Sequence, residues 1–169
     1  MRRIVMRVPA NNIDLANHRI IYRDFEGDKA ESKGFSRKRS FLVALDPEEA
    51  ERMSDEGWPV KMREPENEEE DRMYFIAVNL TFGGKTPPKI VVLNPMSKRK
   101  KTLDEHTIGQ LNWIDILDVP QLIIRPFHWV VRGREGVSAY LNSLYVTKRI
   151  DPIEEKFADY IDEDEEDVD

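Results

Sequence analysis

Leu122-Ile123-Ile124-Arg125-Pro126-Phe127-His128-Trp129-Val130-Val131-Arg132, then Gly133-Arg134-Glu135-Gly136, then Val137-Ser138-Ala139-Tyr140-Leu141-Asn142-Ser143-Leu144-Tyr145-Val146-Thr147-Lys148, is the stretch that decides the fold. Two long runs rich in β-branched and aromatic residues flank a segment bounded by glycines. That pattern predicts a long antiparallel hairpin with its turn at residues 133–136. Side chains alternate across a strand. One face of the first run therefore carries Ile123, Arg125, Phe127, Trp129 and Val131, and the other carries Leu122, Ile124, His128 and Val130. Strict alternation in the second run puts Tyr140 on one face and Tyr145 on the other. Pro152 stops the run.

Working back from the hairpin, Thr102-Leu103-Asp104-Glu105 reads as a capping box. It opens a helix whose apolar positions Leu103, Ile108, Leu111 and Ile114 share a face. Tyr74–Phe82 and Ile90–Leu93 flank Gly83, Gly84, Pro87 and Pro88, which predicts a second hairpin. Residues 64–71 are an acidic loop. Asp46-Pro47-Glu48-Glu49 is a helix start with Glu49 completing a capping box, and Gly57 is its stop. Trp58–Met62, Phe41–Leu45, His18–Phe25 and Ile4–Val8 read as strands, and residues 26–40 as a loop. The order predicts a mainly β protein with two short helices. Its closest pattern is an OB-fold-like five-stranded barrel with a helix between the third and fourth strands. The first helix and the acidic loop would be insertions. Other small barrels and sandwiches share this pattern.

The chain has 169 residues and a net charge of −7, but the charge is unevenly spread. Residues 151–169 hold eleven Asp and Glu against one Lys, while residues 1–150 hold 22 acidic and 25 basic side chains. The reading is therefore a slightly basic domain over 1–150 and an acidic disordered tail over 151–169. The basic body keeps a nucleic-acid partner open despite the overall sign. No cysteine is present, which excludes disulfides, thiolate metal sites and cysteine nucleophiles. No apolar run approaches the length of a membrane span, and Arg7 interrupts the N-terminal apolar residues. The default is a cytoplasmic protein with no membrane partner.

Chemistry concentrates where aromatics and cations alternate. Arg125 with Phe127 and Trp129, and Tyr140 and Tyr145 on the partner run, suit bases stacking on rings while cations follow phosphates. The competing reading places Phe127 and Trp129 in the core, as large aromatics usually are. Arg132 and Arg134 at the turn are candidate phosphate contacts. So are Arg37, Lys38 and Arg39 around Phe35, and the run Lys98, Arg99, Lys100, Lys101 (the alternative for each loop being a solvated charge run). Cations at a helix entry oppose the helix dipole, so the 98–101 run does not serve that helix. Lys61 joins the basic candidates, whereas Trp58 reads as core. Enzyme readings are weaker. The three His are scattered, and no phosphate-cradling loop or nucleophile elbow is present. A metal-dependent nuclease using Asp24, Glu26 or Asp28 would need the strand to continue through Gly27. No cofactor or metal is implied.

Tyr22-Arg23-Asp24-Phe25-Glu26-Gly27, Ser40-Phe41-Leu42-Val43, Gly57-Trp58-Pro59-Val60-Lys61, Ile124–Trp129 and Gly136–Thr147 occur in this order in a family of small tailed-bacteriophage proteins. Over most of residues 4–150 the chain resembles the phage single-stranded DNA-binding proteins of OB-fold type. The resemblance implies a non-enzymatic protein that coats and protects single-stranded DNA in replication and recombination, without reading sequence. It also implies that the acidic tail, Asp162, Glu163, Asp164, Glu165, Glu166 and Asp167 among its residues, recruits phage or host replication and recombination proteins. Separately from the resemblance, the tail's charge and its reach of about 60 Å, at roughly 3.3 Å per residue, would let it occupy the body's own basic groove. The location would be the infected cell's cytoplasm, and a homodimer fits the reading. The residues alone leave open a protein-interaction or regulatory module whose basic face docks an acidic partner.

Overall fold

A computed structural model describes residues 6–28, 38–157 and 159–160. Among them nine strands join one sheet: β1 (Ile13–Asp14), β2 (Ile20–Asp24), β3 (Arg39–Leu45), β4 (Val60–Arg63), β5 (Met73–Leu80), β6 (Lys89–Leu93), β7 (Lys100–Leu103), β8 (Ile116–Val131) and β9 (Arg134–Lys148). The main path runs β1-β8-β9-β5-β3-β2 and does not close. The mainly β, OB-like architecture stands. The strands number nine rather than five because β1 on β8, β4 on β5 and β7 beyond β6 are short extra partners, and β6 adds a parallel strand on β9. No helix among the described residues is long and apolar enough to cross a membrane.

The β8–β9 hairpin is as expected, but longer and with a different turn. Val131 pairs with Arg134, leaving Arg132 and Gly133 as a two-residue loop with φ of 50° and 77°. Two consecutive positive φ values define the hairpin turn whose twist matches the strands. The second half of β9's free edge takes β6 in parallel, Lys89 to Leu93 against Ser143 to Thr147, and the first half takes β5 in parallel at Ala139 and Tyr140. The expected hairpin between Tyr74–Phe82 and Ile90–Leu93 does not form. Both edges of β5 are occupied by β3, β4 and β9, so β6 turns back on β7 instead.

The first helix, α1 (Pro47–Glu56), follows its local code. Asp46 accepts the Glu49 backbone N–H at 2.8 Å, and Gly57 closes the helix at φ 106°. The box is half made, because the Glu49 carboxylate reaches His18 rather than returning to the cap. Ala50 and Met53 are buried against the sheet. The second expected helix is reduced to one 3₁₀ stretch, Ile108–Asn112. Asp104 accepts the backbone N–H groups of His106 and Thr107, which builds a turn in place of a first helical turn. The His106 N–H and the Thr107 hydroxyl hold the Asp104 carboxyl below its ordinary pKa. Leu103 belongs to β7, yet with Ile108, Leu111 and Ile114 it still packs on the core. Residues 6–8 carry no strand, and Ile4 and Val5 lie outside the described residues. A last helical turn, α2, spans Pro152–Lys156.

The core fills the inner face of the sheet. Phe25 stacks on Phe41 at 5.0 Å, surrounded by Val43, Ile76, Val78, Leu122, Ile124 and Leu144, all essentially inaccessible. Trp58 is buried as expected.

One ionic contact ties the N-terminal segment to α1. His18 Nε2 lies 2.5 Å from Glu49, and Nδ1 faces the carbonyls of Leu15 and Ala16 at 3.0 Å. Burial alone would push the imidazole down, but Glu49 and the two carbonyls outweigh it, so the His18 pKa is raised above 6.5. Both ring nitrogens face acceptors, which favours the doubly protonated ring. A raised folded pKa adds stability that is complete below about 6.5 and is lost as pH climbs through the folded value. Thermal melts across that window are expected to show a decline that His18→Gln abolishes. An identical decline in the variant would remove His18 as the cause.

Candidate nucleic-acid interface

Directly opposed residues in an antiparallel pair share a face. On the outer face of β8–β9, Arg125 opposes Tyr140, Phe127 opposes Ser138, Trp129 opposes Gly136 and Val131 opposes Arg134. Leu122 and Ile124, on the other face, are core. Phe127 and Trp129 therefore lie outside the core, and Phe127 is 46% exposed. The Tyr140 ring stands between two neighbours, with the Arg125 guanidinium carbon 5.1 Å from its centroid and Phe127 edge-on at 5.6 Å. A cation over one ring beside an exposed second ring is the geometry on which a base stacks while its phosphate is held.

A bulge changes the alternation. Ile123 pairs with Ser143 but Ile124 pairs with Leu141, so Asn142 is an extra residue in β9. It brings Tyr145 to the same outer face as Tyr140, where strict alternation had separated them. Lys89 of β6 lies 5.9 Å from the Tyr145 ring. By the same registers Lys100, opposite Leu93, extends this face at the edge of the sheet, while Lys101 points to the other side. Lys98 and Arg99 are exposed in the β6–β7 turn.

Beside Tyr140 is a groove of about 420 Å³ lined by Lys38, Arg39, Asn79, Phe82 and, as its one acid, Glu105. Arg39 is fixed there. It donates to the Phe25 carbonyl at 2.9 Å and lies over the Phe82 ring at 5.3 Å. Strand β5 supplies the floor, since Asn79 pairs with Tyr140 and donates to the Ala139 carbonyl. The structure thus brings Lys38, Arg39, Arg125, Phe127, Trp129, Tyr140, Tyr145 and Lys100 onto connected surface. Lys61 is elsewhere, in a hollow beside α1 that also holds Glu51 and Asp55. Arg132 and Arg134 are exposed at the hairpin tip, where β9 pairs with β8 alone, short of Ala139, at which β5 joins it. Phe35, Arg37 and the tail positions Asp162, Glu163, Asp164, Glu165, Glu166 and Asp167 lie outside the described residues.

Gly136 carries Trp129. A Cβ at residue 136 would lie 2.3 Å from Trp129 Cζ2, so the indole rests on bare backbone. Gly136→Val is expected to lift the ring off the strand, shift tryptophan emission and remove that ring's share of base stacking, about 1–3 kcal/mol. Unchanged emission and unchanged oligo-dT affinity would count against this placement.

Asp24, Glu26 and Asp28 do not continue a strand, because the chain turns at Phe25–Glu26 and the Gly27 N–H returns to the Asp24 carbonyl. Among the described residues no three His or carboxylate side chains converge on a metal position. Neither Phe82 nor Trp113 stands out in the sequence. By alternation Phe82 reads only as a strand end. Trp113 is 86% exposed and lies two residues past Leu111, off the apolar spacing set by Ile108 and Leu111. That offset was the available signal.

No curated protein matches the chain in sequence. Among solved structures, the single-stranded DNA-binding protein of bacteriophage Enc34 in complex with ssDNA is similar at 18% identity and a TM-score of 0.54, over 89% of this chain and 96% of that one. A second structure of the Enc34 single-stranded DNA-binding protein gives 16% identity and a TM-score of 0.51, over 98% of this chain and 96% of that one. These likenesses support the OB-like fold. A family model described as "Putative phage ssDNA-binding domain" matches residues 2–169. With its outer face of paired cations and rings, the chain belongs to the phage ssDNA-binding domain family.

Proposed function

We propose that this chain coats single-stranded DNA without reading sequence, as a non-enzymatic protein of phage replication and recombination in the infected cell's cytoplasm. The observation that carries the proposal is Tyr140 set between Arg125 and the exposed Phe127 on the outer sheet face. Rings accept any base through its π-face, and nothing in this arrangement selects an edge pattern. Lys38, Arg39, Arg125 and Lys89 supply phosphate contacts on either side. Covering the strand blocks duplex re-formation and nuclease access.

Four such cations predict a slope of log K against log salt near −3, at about −0.7 for each phosphate neutralised on a single strand. Fluorescence titration with oligo-dT at several salt concentrations measures it. Absence of binding at low salt would sink the proposal. The acidic tail adds a second element. It competes for the same cations as an internal polyanion, and DNA frees it for phage or host replication proteins. The same titration on a chain truncated after Ile150 is expected to give tighter binding at low salt.

A further inference from the structure

The outer sheet face accounts for binding to DNA. A second surface, of opposite sign, lies on elements that exceed the five-strand pattern. Residues 46–71, which hold α1, β4 and the acidic loop, carry twelve Asp and Glu against three Lys and Arg, a net −9. The rest of residues 1–150 carries ten against 22, a net +12. The slightly basic body is therefore two regions of strong and opposite charge, and the acidic one repels DNA.

Within the acidic region a hollow of about 400 Å³ separates α1 from β4. Its apolar side is Ala50, Val60, Met62 and Tyr74, with Met62 44% exposed. Met62 opposes Tyr74, so the two share a face, while Lys61 and Arg63 leave β4 on the other. Glu51 and Asp55, one turn apart on α1, stand across the hollow. Strand β4 pairs with β5 along one edge, and among the described residues no strand takes its other edge. Most cations in and beside the region are already engaged. Arg7 donates to the Asp55 carbonyl at 2.7 Å, Arg52 lies 3.8 Å from Glu49, Arg63 3.2 Å from Glu66 and Arg72 3.5 Å from Glu64. Lys61 is left to oppose the remaining acids. Among the described residues no ion pair engages Glu51 or Asp55, Glu48 or Glu56 at the ends of α1, or the four acids at 68–71.

We propose that the open edge of β4 and this hollow receive an extended basic segment of a partner protein. The segment adds a strand to β4, sets apolar side chains on Met62 and Tyr74, and brings Lys or Arg to the unpaired acids of α1. Strand addition draws its affinity from backbone hydrogen bonds and its selectivity from the alternate side chains. Charge selects this occupant over the others. DNA and the acidic residues 151–169 are polyanions, and this surface repels both. A second copy set edge to edge would oppose one acidic region to another. Lys61 and Arg63 on the open strand also discourage pairing between identical edges. The rings of the outer face and the α1–β4 edge thus take ligands of opposite charge, and filling one leaves the other open.

The inference does not depend on the DNA reading, and its main readout uses no DNA. Full-length protein is titrated at low salt with a fluorescein-labelled peptide of about eight residues that alternates Lys with Val. Saturable binding is expected. Glu51→Lys with Asp55→Lys should weaken it about tenfold or more, because like charges replace unlike ones while the acidic tail stays intact. The same peptide N-methylated along its backbone keeps its charge but cannot donate to a strand edge, and should also bind about tenfold more weakly. Oligo-dT affinity of the double variant should not fall. No binding of the peptide, equal binding by the double variant, equal binding of the methylated peptide, or a loss of oligo-dT affinity in the double variant each overturns the proposal. So does a tenfold gain on removing residues 2–5, which hold Arg2 and Arg3 and lie outside the described residues, since the edge would then belong to that segment. Self-association of the unaltered protein that the double variant abolishes would give the surface to a second copy and overturn it as well.

Discussion

Phe127→Ala is expected to weaken binding to oligo-dT by about 1–3 kcal/mol, roughly five- to hundredfold, with no loss of thermal stability beyond a few tenths of a kcal/mol. The ring is half exposed and outside the core cluster, so its removal opens no cavity. Tyr140→Ala should act in the same range, because it removes both the ring under Arg125 and the edge that orients Phe127. The two rings touch, so the double variant should lose less than the sum of the singles. Tyr140→Phe keeps ring and cation together and should retain most of the affinity. Equilibrium titration at low salt reads all four. Wild-type affinity in both alanine variants would move the DNA path off this face.

Phe41→Ala is expected to cost about 3–5 kcal/mol of folding stability. Phe41 is fully buried, stacks on the equally buried Phe25, and lies on β3 between β2 and β5. Few neighbours can move into the space, because strands on both sides fix the backbone. A loss of that size is a large share of the roughly 5–15 kcal/mol by which domains are stable. Urea unfolding reads it as a lower midpoint at unchanged slope. A loss under about 1 kcal/mol would mean that the core relaxes far more than this packing allows.

What was legible in the sequence was what is local. Asp46, Pro47 and Gly57 delimit α1 because capping acts within one helical turn, and the long β8–β9 pair announces itself by composition. The turn was displaced because Arg132 adopts a positive φ that a non-glycine residue does not advertise. The partner of β6 was not legible, since parallel pairing with β9 joins residues more than fifty positions apart. At the site, Arg125, Phe127 and Trp129 could be placed on one face by counting, but whether that face was core depended on what packed behind it. Counting places Tyr145 on the wrong side because one inserted residue, Asn142, reverses every later side chain. Asp104 looked like a helix cap and instead closes a turn, because its carboxylate binds two successive N–H groups directly.

The shared edge of β9 has a consequence for how the chain is made. Val78 meets Ala139, and Ile90 meets Leu144, across separations of more than fifty residues. During synthesis, β5 and β6 leave the ribosome long before the strand that covers them, with apolar edges open to pairing with other chains. Contacts this distant in sequence slow folding, because the intervening loop must close before they form. The last strand is therefore the one that completes the sheet. A chain interrupted before Lys148 would be more prone to aggregate than one interrupted after it, and a pulse-labelled nascent-chain series ending on either side of that residue would reveal where protease resistance first appears.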